Sequence, residues 1–540
     1  MNQHLQAALS TRTAIDRVVE YFSPGRGLRR LNARVLLAAA TGQGGYTGGR
    51  RDRRGTRNWR PYEASADADI LPDLPSLRAR ARDLARNTPI ATGAIATAVT
   101  NVVGDGLQLQ AAIDHEALGL SEEQADAWER QAEREWSLFC STADFTRVQV
   151  FDELQSLIFR ASLESGDVFV VRRFRRDAGD VYGTKVQVLE ADRVSNPSRA
   201  QDTDRIVAGV EVDTDGMPAA YHVSDRHPGG PRATAMKWQR VAARTAEGKQ
   251  VVLHLYDRLR PEQTRGVPYL APVIEHLKQL GDYSDAEVTA AVVSAMYTVF
   301  VKSDASQQTT AIAGERPRGA GLDVNELQLG NGAILGLNPQ ESVEIANPAR
   351  PNANFDPFVQ AFLRQVGVAL ELPFELLIKH FTASYSASRA ALEMAWQFFR
   401  RRRTWLARGL CEVVYAWCIE EAVALGRLDA PGFFDDPAVR QAYLWAEWRG
   451  PRRVSINPKQ EAEADAIDLG MGVTTREQIC IERTGGEFED KHRQLAKEET
   501  MRREDGLGAP PPGQENSAAD EDDVAGDDGD DETQPARRRA

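Results

Sequence analysis

Three serines and a histidine stand close together in His380-Phe-Thr-Ala-Ser-Tyr-Ser-Ala-Ser388. A serine hydroxyl activated by a histidine base is the core of nucleophilic acyl transfer, so Ser384, Ser386 and Ser388 raise the question of a hydrolase. Nearness in sequence is weak support, because such triads are assembled in space from distant segments. Ser386 or Ser388 as the N-cap of the helix that follows is the better account. Other signatures of chemistry are missing from the sequence. Gly248-Lys249 lacks the upstream glycine and the following Ser/Thr of a phosphate-binding loop. The eight histidines form no His-x-x-x-His pair, and no Gly-x-Ser-x-Gly elbow occurs. Gly104-Asp105-Gly106 reads as a helix-terminating turn. The four cysteines show no metal spacing or disulfide framework, which fits a reducing compartment. Cys411 and Cys418 read as core thiols. No cofactor or metal is expected. From these residues alone, a soluble hydrolase using a loop serine near His380 stays open beside a structural role.

The elements around that stretch frame it. Glu371-Leu-Pro-Phe-Glu-Leu-Leu-Ile378 is apolar and broken by Pro373, and Leu372 to Tyr385 reads as a segment that neither flanking helix absorbs. Behind it, Leu392, Trp396, Phe399, Arg403, Leu406, Leu410, Val413 and Trp417 are spaced alternately four and three residues apart. That is one helical stripe, with Gly409 as the place for a bend. Arg400, Arg401, Arg402 and Arg403 sweep about 300° of that helix, so some of them face another chain or an anion. The bland account is snorkelling side chains paired with Glu393 or Glu412.

The 540 residues exceed one ordinary core, and 42% hydrophobic with 27% charged residues reads as soluble and globular. Met1 to Ser10 lacks the pattern of a signal peptide. Val288 to Val301 falls short of the roughly 20 apolar residues of a membrane span. The net charge of −13 is unevenly placed: Pro511 to Gln534 holds ten acids and no base, while Arg26 to Arg60 holds ten arginines against one acid. Such ends read as solvated tails or interaction arms. The basic arm, near Trp59 and Tyr62, suits nucleic acid or a neighbouring subunit. Helical periodicity covers Leu77 to Asn87, Ile90 to Val103, a helix opened by the capping box Ser121-Glu-Glu-Gln124, and Phe151 to Ser165. Residues 166–260 change to β-branched runs at Val168 to Val171, Val186 to Leu189, Ile206 to Val212, Ala220 to Val223 and Val251 to Leu255, with a hairpin at Asp213 to Gly216. Helices return over Leu270 to Leu280, Tyr283 to Val301 and Asp356 to Glu371, interrupted by a polar aperiodic insertion from Lys302. The fold class is α+β, predominantly helical.

Arg80-Ala-Arg-Asp-Leu-Ala-Arg-Asn-Thr-Pro-Ile-Ala-Thr-Gly93, Asn101-Val-Val-Gly-Asp-Gly-Leu107, Glu190-Ala-Asp-Arg193, Arg265-Gly-Val-Pro268, Tyr385-Ser-Ala-Ser-Arg-Ala390 and Trp448-Arg-Gly-Pro-Arg452 occur in this order. Together, across residues 77–500, they resemble the lambda-type portal family of tailed bacteriophages. The resemblance implies a non-enzymatic ring, usually a dodecamer, at one capsid vertex. It divides the chain into a basic arm and linker (1–76), wing (77–268), first stem segment (269–301), clip (302–355), second stem helix (356–371), tunnel loop (372–388), long wing helix (389–439), crown (440–505) and disordered acidic tail (506–540). Leu372, Phe374, Leu376, Lys379, His380 and Tyr385 would line the DNA channel, and Arg400 to Arg403 would serve subunit contacts. Lys302, Asp304, Arg316 and Arg318 would dock partners at the clip. The implied partners are further copies of the chain, double-stranded DNA, the terminase large subunit, major capsid and scaffolding proteins, and head-completion proteins, with no membrane. The implied location is the virion portal vertex, after assembly in the host cytoplasm.

Overall fold

The computed structural model describes residues 14–40, 54–55, 58–59, 61, 63–231, 236–295, 299–303, 341–345, 354–381, 384–452, 457–484, 486 and 488–507. The polypeptide forms two compact units, residues 1–72 with 260–262, and residues 73–259 with 263–540. In the first, helices α1 (Ala14–Phe22) and α2 (Pro24–Ala40) pack together. Helix α3 (Ala66–Ile70) follows Ser65, whose hydroxyl accepts from the Ala68 amide. Arg260 donates to Asp69 at 2.6 Å and to the Ala64 carbonyl.

The second unit opens with α4 (Leu74–Asn87) and α5 (Pro89–Val102). Between them Thr88 is extended, and Pro89 occupies the first helical position, so one helix stops and the next starts. In α5 the small residues Ala91, Ala94 and Ala98 are fully buried with Ile95 and Val102. Strand β1 (Gln108–Ala111) and helix α6 (His115–Leu118) lead to α7 (Glu122–Cys140). The expected capping box is present: the Gln124 amide donates to Ser121 Oγ at 3.3 Å, and the Ser121 amide donates to the Gln124 side chain at 3.0 Å. Trp128, Trp136 and Phe139 of α7 enter the main core beside α8 (Phe151–Ser165).

Strands β2 (Asp167–Phe174), β3 (Thr184–Glu190), β4 (Ile206–Val207), β5 (Val210–Val212), β6 (Pro218–Ser224), β7 (Trp238–Ala242) and β8 (Val252–Tyr256) form two antiparallel sheets, in the orders β3-β2-β8 and β4-β5-β6-β7. The period of two divides β2: Val168 and Val170 belong to the main core, Phe169 and Val171 to a second core with Tyr221 and Val223. Ile206 to Val212 was expected as one strand and is a tight hairpin. Ala208 and Gly209 both take positive φ, and a Cβ on Gly209 would run into the Ser195 backbone.

A 3₁₀ turn at Ala271–Val273 leads into α9 (Ile274–Ala295), which runs antiparallel to α10 (Phe355–Ala369). Tyr283 meets Phe355 and Phe358 at ring distances of 5.6 and 5.0 Å, and His276 meets Phe362 at 5.3 Å. The helix expected to reach Val301 is described as far as Ala295 and does not reach Val299: beyond the undescribed 296–298, β-branched Val299 and Val301 favour the strand β9 (Val299–Ser303), which pairs antiparallel with β10 (Glu341–Ile345).

Helices α11 (Phe374–Ile378) and α12 (Tyr385–Leu406) follow. The stripe helix passes around Gly409 through a π-helical turn at Ala407–Cys411, which inserts an extra residue before α13 (Glu412–Ala424). A Cβ on Gly409 would come within 2.9 Å of Leu255. Beyond the turn Val414, Tyr415, Trp417, Cys418 and Ile419 are all buried, so α13 is enclosed around its circumference. Burial pushes the Cys411 and Cys418 thiols well up, as inert core thiols require. Helix α14 (Pro437–Tyr443) and strand β11 (Ala446–Arg449) close the body, β11 pairing antiparallel with β1. Last come α15 (Pro458–Gly470), α16 (Arg476–Thr484) and α17 (Phe488–Glu504).

Candidate functional site

The stretch between α10 and α12 is more structured than its sequence suggests. The Leu372 amide donates to the Gly367 carbonyl at 2.9 Å, and a Cβ on Gly367 would meet the Leu372 carbonyl. This close return seats Leu372 in the core at 2% exposure. Leu372 therefore cannot line a channel, because assembly only removes further surface. Pro373 then starts α11, and Lys379, with φ 55°, ends it. The Lys379 and His380 amides both return to the Glu375 carbonyl. Phe374 lies beneath the Arg364 guanidinium at 5.0 Å, Leu377 is buried and Leu376 is half-buried. Lys379, His380 and Phe381 are exposed. Of the segment expected to escape both helices, α11 thus takes up Phe374 to Ile378, leaving Lys379, His380, Phe381 and Ser384 among the described residues. The next helix starts at Tyr385 with Ser384 in the capping position, not Ser386 or Ser388. Ser388 is buried in α12.

Beneath this turn lies a cavity of about 390 Å³, lined by Thr97 and Thr100 of α5, Leu376, and Leu392, Trp396 and Phe399 of α12. Lys379, Arg389 and Glu461 also border it. Its wall is mainly apolar and holds no paired nucleophile and base.

The four arginines divide. Arg400 is exposed. Arg401 is exposed and donates to Glu371 at 2.7 Å. Arg402 is largely covered and donates to Asp257 at 2.7 Å, with Phe398 beneath its guanidinium. Arg403 turns inward, donating to the carbonyls of Asn101, Val102 and Pro451 while stacking on Trp396 at 5.1 Å. Burial, and then the charge of Arg400, push its pKa down to about 10. Arg403 is therefore an internal staple joining Asn101-Val-Val-Gly-Asp-Gly106 to Trp448-Arg-Gly-Pro-Arg452, and is not free for a subunit contact. A Cβ on Gly450 would strike its guanidinium.

A second buried cluster explains other quoted motifs, and sequence reading missed it. Asp167 is fully buried and accepts from Arg78 at 2.6 Å, from Arg265 at 2.6 Å and from the Gly266 amide; the His254 ring lies 3.1 Å from it. Burial alone would raise its pKa, but Arg265 and Arg78 hold it well below the usual carboxylate range. Burial pushes Arg78 down to about 10. Arg265 also donates to the carbonyls of Ala191, Val194 and Ala208, so Arg265-Gly-Val-Pro268 clamps Glu190-Ala-Asp-Arg193. The signal was a lone acid opening a β-branched run. Nearby, Glu190, Asp192 and His227 come close enough to hold a cation, but the Arg82 guanidinium already bridges both carboxylates.

At the expected clip, Lys302 lies in β9 opposite Ser342. Asp304, Arg316 and Arg318 lie outside the described residues, as do Arg50, Arg51, Arg53, Arg57 and Arg60 of the basic arm and the acidic run from Pro511 to Gln534. Of Tyr385 only the backbone is described, as the first residue of α12.

Residues 52–403 match the model of the family described as phage portal protein, lambda family. The portal protein of Escherichia phage N15 is 27% identical over 495 residues, covering 87% of this chain and 91% of that one. Portal protein B of Escherichia phage lambda is 26% identical over 490 residues, covering 86% and 91%. Among solved structures, a chain in the neck of an empty GTA particle aligns with a TM-score of 0.44 and 15% identity, covering 81% of this chain and 98% of that one.

Proposed function

The chain belongs to the lambda family of phage portal proteins, and from that premise we propose that it closes into a dodecameric ring whose channel conducts double-stranded DNA into and out of a phage head. The family is structural, and the role read here is conduction and docking, not catalysis. The observation that carries the reading is the exposed turn Lys379-His380-Phe381 on a rigid base. Leu372 and Leu377 anchor its leading side in the core, and α12 supports its trailing side. A turn held in this way can face DNA without yielding. It presents one lysine and one histidine, not an arginine cluster, so it adds little of the counterion-release affinity that would stall a moving duplex. Phe374 and Leu376 support the turn from behind, and Tyr385 follows it. Arg400 and Arg401, exposed on the same helix, serve contacts between copies. The clip at 302–355 docks the terminase large subunit and later the head-completion proteins, while the ring sits at the portal vertex among capsid and scaffolding proteins after assembly in the host cytoplasm. The test is the solution mass of the purified protein together with electron micrographs. Closed rings are expected, and a species that stays at the 59.6 kDa of one chain would overturn the reading.

A further inference from the structure

The cavity of about 390 Å³ beneath the Lys379–Phe381 turn has no part in conduction or docking. Its volume falls within the roughly 300–1,000 Å³ that small-molecule sites occupy. Four large side chains make it apolar: Leu376 of α11, and Leu392, Trp396 and Phe399 of α12. The last three stand at i, i+4 and i+7, so one helical face carries them. That face is braced. Arg403 stacks on Trp396 at 5.1 Å, and Phe399 is 2% exposed. On the facing side α5 contributes Ala96, whose small side chain keeps the space open, and the hydroxyls of Thr97 and Thr100. The border differs in kind. Lys379 and Arg389 stand there, both exposed, against the one carboxylate of Glu461.

We propose that this cavity binds a small anionic amphiphile, with a hydrocarbon body against Leu376, Leu392, Trp396 and Phe399 and a single carboxylate at Lys379 and Arg389. The division follows from the cost of charge. An ion placed among the apolar walls would lose its water without gaining a partner, whereas an ion at the border meets two cations and keeps solvent. One carboxylate suits that edge better than a multiply charged phosphate, because the rest of the wall has little to offer an anion. Lys379 and Phe381 of the exposed turn both border the cavity, so an occupied cavity would brace the turn from beneath. That consequence rests on the function proposed for the turn. The binding itself does not, and is read on the full chain whether or not it assembles.

The probes are decanoate and its uncharged analogue decanol, titrated into the full-length protein by calorimetry. Decanoate should bind saturably at one site per chain, about fivefold more tightly than decanol, as a partly solvated ion pair allows. In Lys379→Ala/Arg389→Ala the preference for decanoate should vanish while decanol binds as before, since both substitutions fall at exposed positions. Ala96→Phe should fill the space and abolish binding of both probes. Thr100→Trp, at an exposed position, blocks the same cavity should Ala96→Phe fail to fold. Wild-type protein without saturable binding would overturn the proposal. So would a decanoate preference that survives the loss of both cations, or undiminished binding in the folded, cavity-filled variants.

Discussion

Arg400 and Arg403 lie three residues apart on one helix in opposite circumstances. Arg403 supplies donors to three main-chain carbonyls. Arg403→Ala should therefore destabilise the protein by about 1–2 kcal/mol, the cost of leaving partly buried acceptors without their donor. Arg400→Ala should stay within about 0.5 kcal/mol, as exposed substitutions do, and act on assembly alone. Chemical unfolding of both variants separates the roles, and an Arg403→Ala chain of wild-type stability that fails to form rings would return Arg403 to the interface. The Asp167 cluster makes a prediction in pH. The folded pKa of Asp167 is depressed, so its contribution is present above the unfolded value of about 3.9 and is lost as pH falls through the folded value. Burial also depresses His254, so below about 6.5 the unfolded chain takes up a proton that the folded chain refuses. Both effects weaken the protein on acidification, His254 first and Asp167 later. A stability–pH curve should fall in two stages, and His254→Gln should flatten the earlier one.

Helix α9 and helix α10 meet through rings, and Tyr283 touches two of them. Tyr283→Ala should cost about 2 kcal/mol, since each aromatic pair adds about 0.5–1.5 kcal/mol to its area burial. The loss should be local, with faster amide exchange in α9 and α10 and none in β2, while Tyr283→Phe keeps most of the contact. Unchanged exchange in α9 after Tyr283→Ala would remove the ring cluster as the link between the two helices. Elements whose residues carried their own composition, period or cap were legible in the sequence: the Ser121–Gln124 box, the β-branched run of β2 and the stripe of α12. What stayed hidden depended on distant partners. The pairing of Gln108 with Arg449 has no local signature. The apolar Leu372 looked free because the chain's return to Gly367 is a tertiary fact. All four arginines were assigned to subunit contacts because only the folded chain shows which carbonyls wait for Arg403. Ile206 to Val212 was read as continuous because its β-branched residues masked the turn that Gly209 permits.

For the molecule as a whole, the two ends and the turn before α12 carry different expectations. The acidic tail has ten acids and few apolar residues, too little to offset the entropy of ordering it. A chain ending at Ala509 should keep its thermal transition and its rings, and a clear fall in melting temperature would show that the tail docks. The decisive variant for the channel is Lys379→Ala/His380→Ala. Both side chains are exposed, and the chain's return through Glu375 uses main-chain amides that alanine retains. Folding should therefore change by no more than about 0.5 kcal/mol. In a ring the change is repeated in every subunit, so a channel lined by this turn would lose a girdle of Lys379 and His380 side chains at one level. Phosphate contacts there are weak singly but summed around the ring, and their loss should alter the rate of DNA packaging or its retention, with the largest difference at low salt, where screening is least. Ring formation, read by mass in solution, should match wild type. Variant rings that package and retain DNA as wild type does, at low salt as well as high, would show that this turn does not face the duplex.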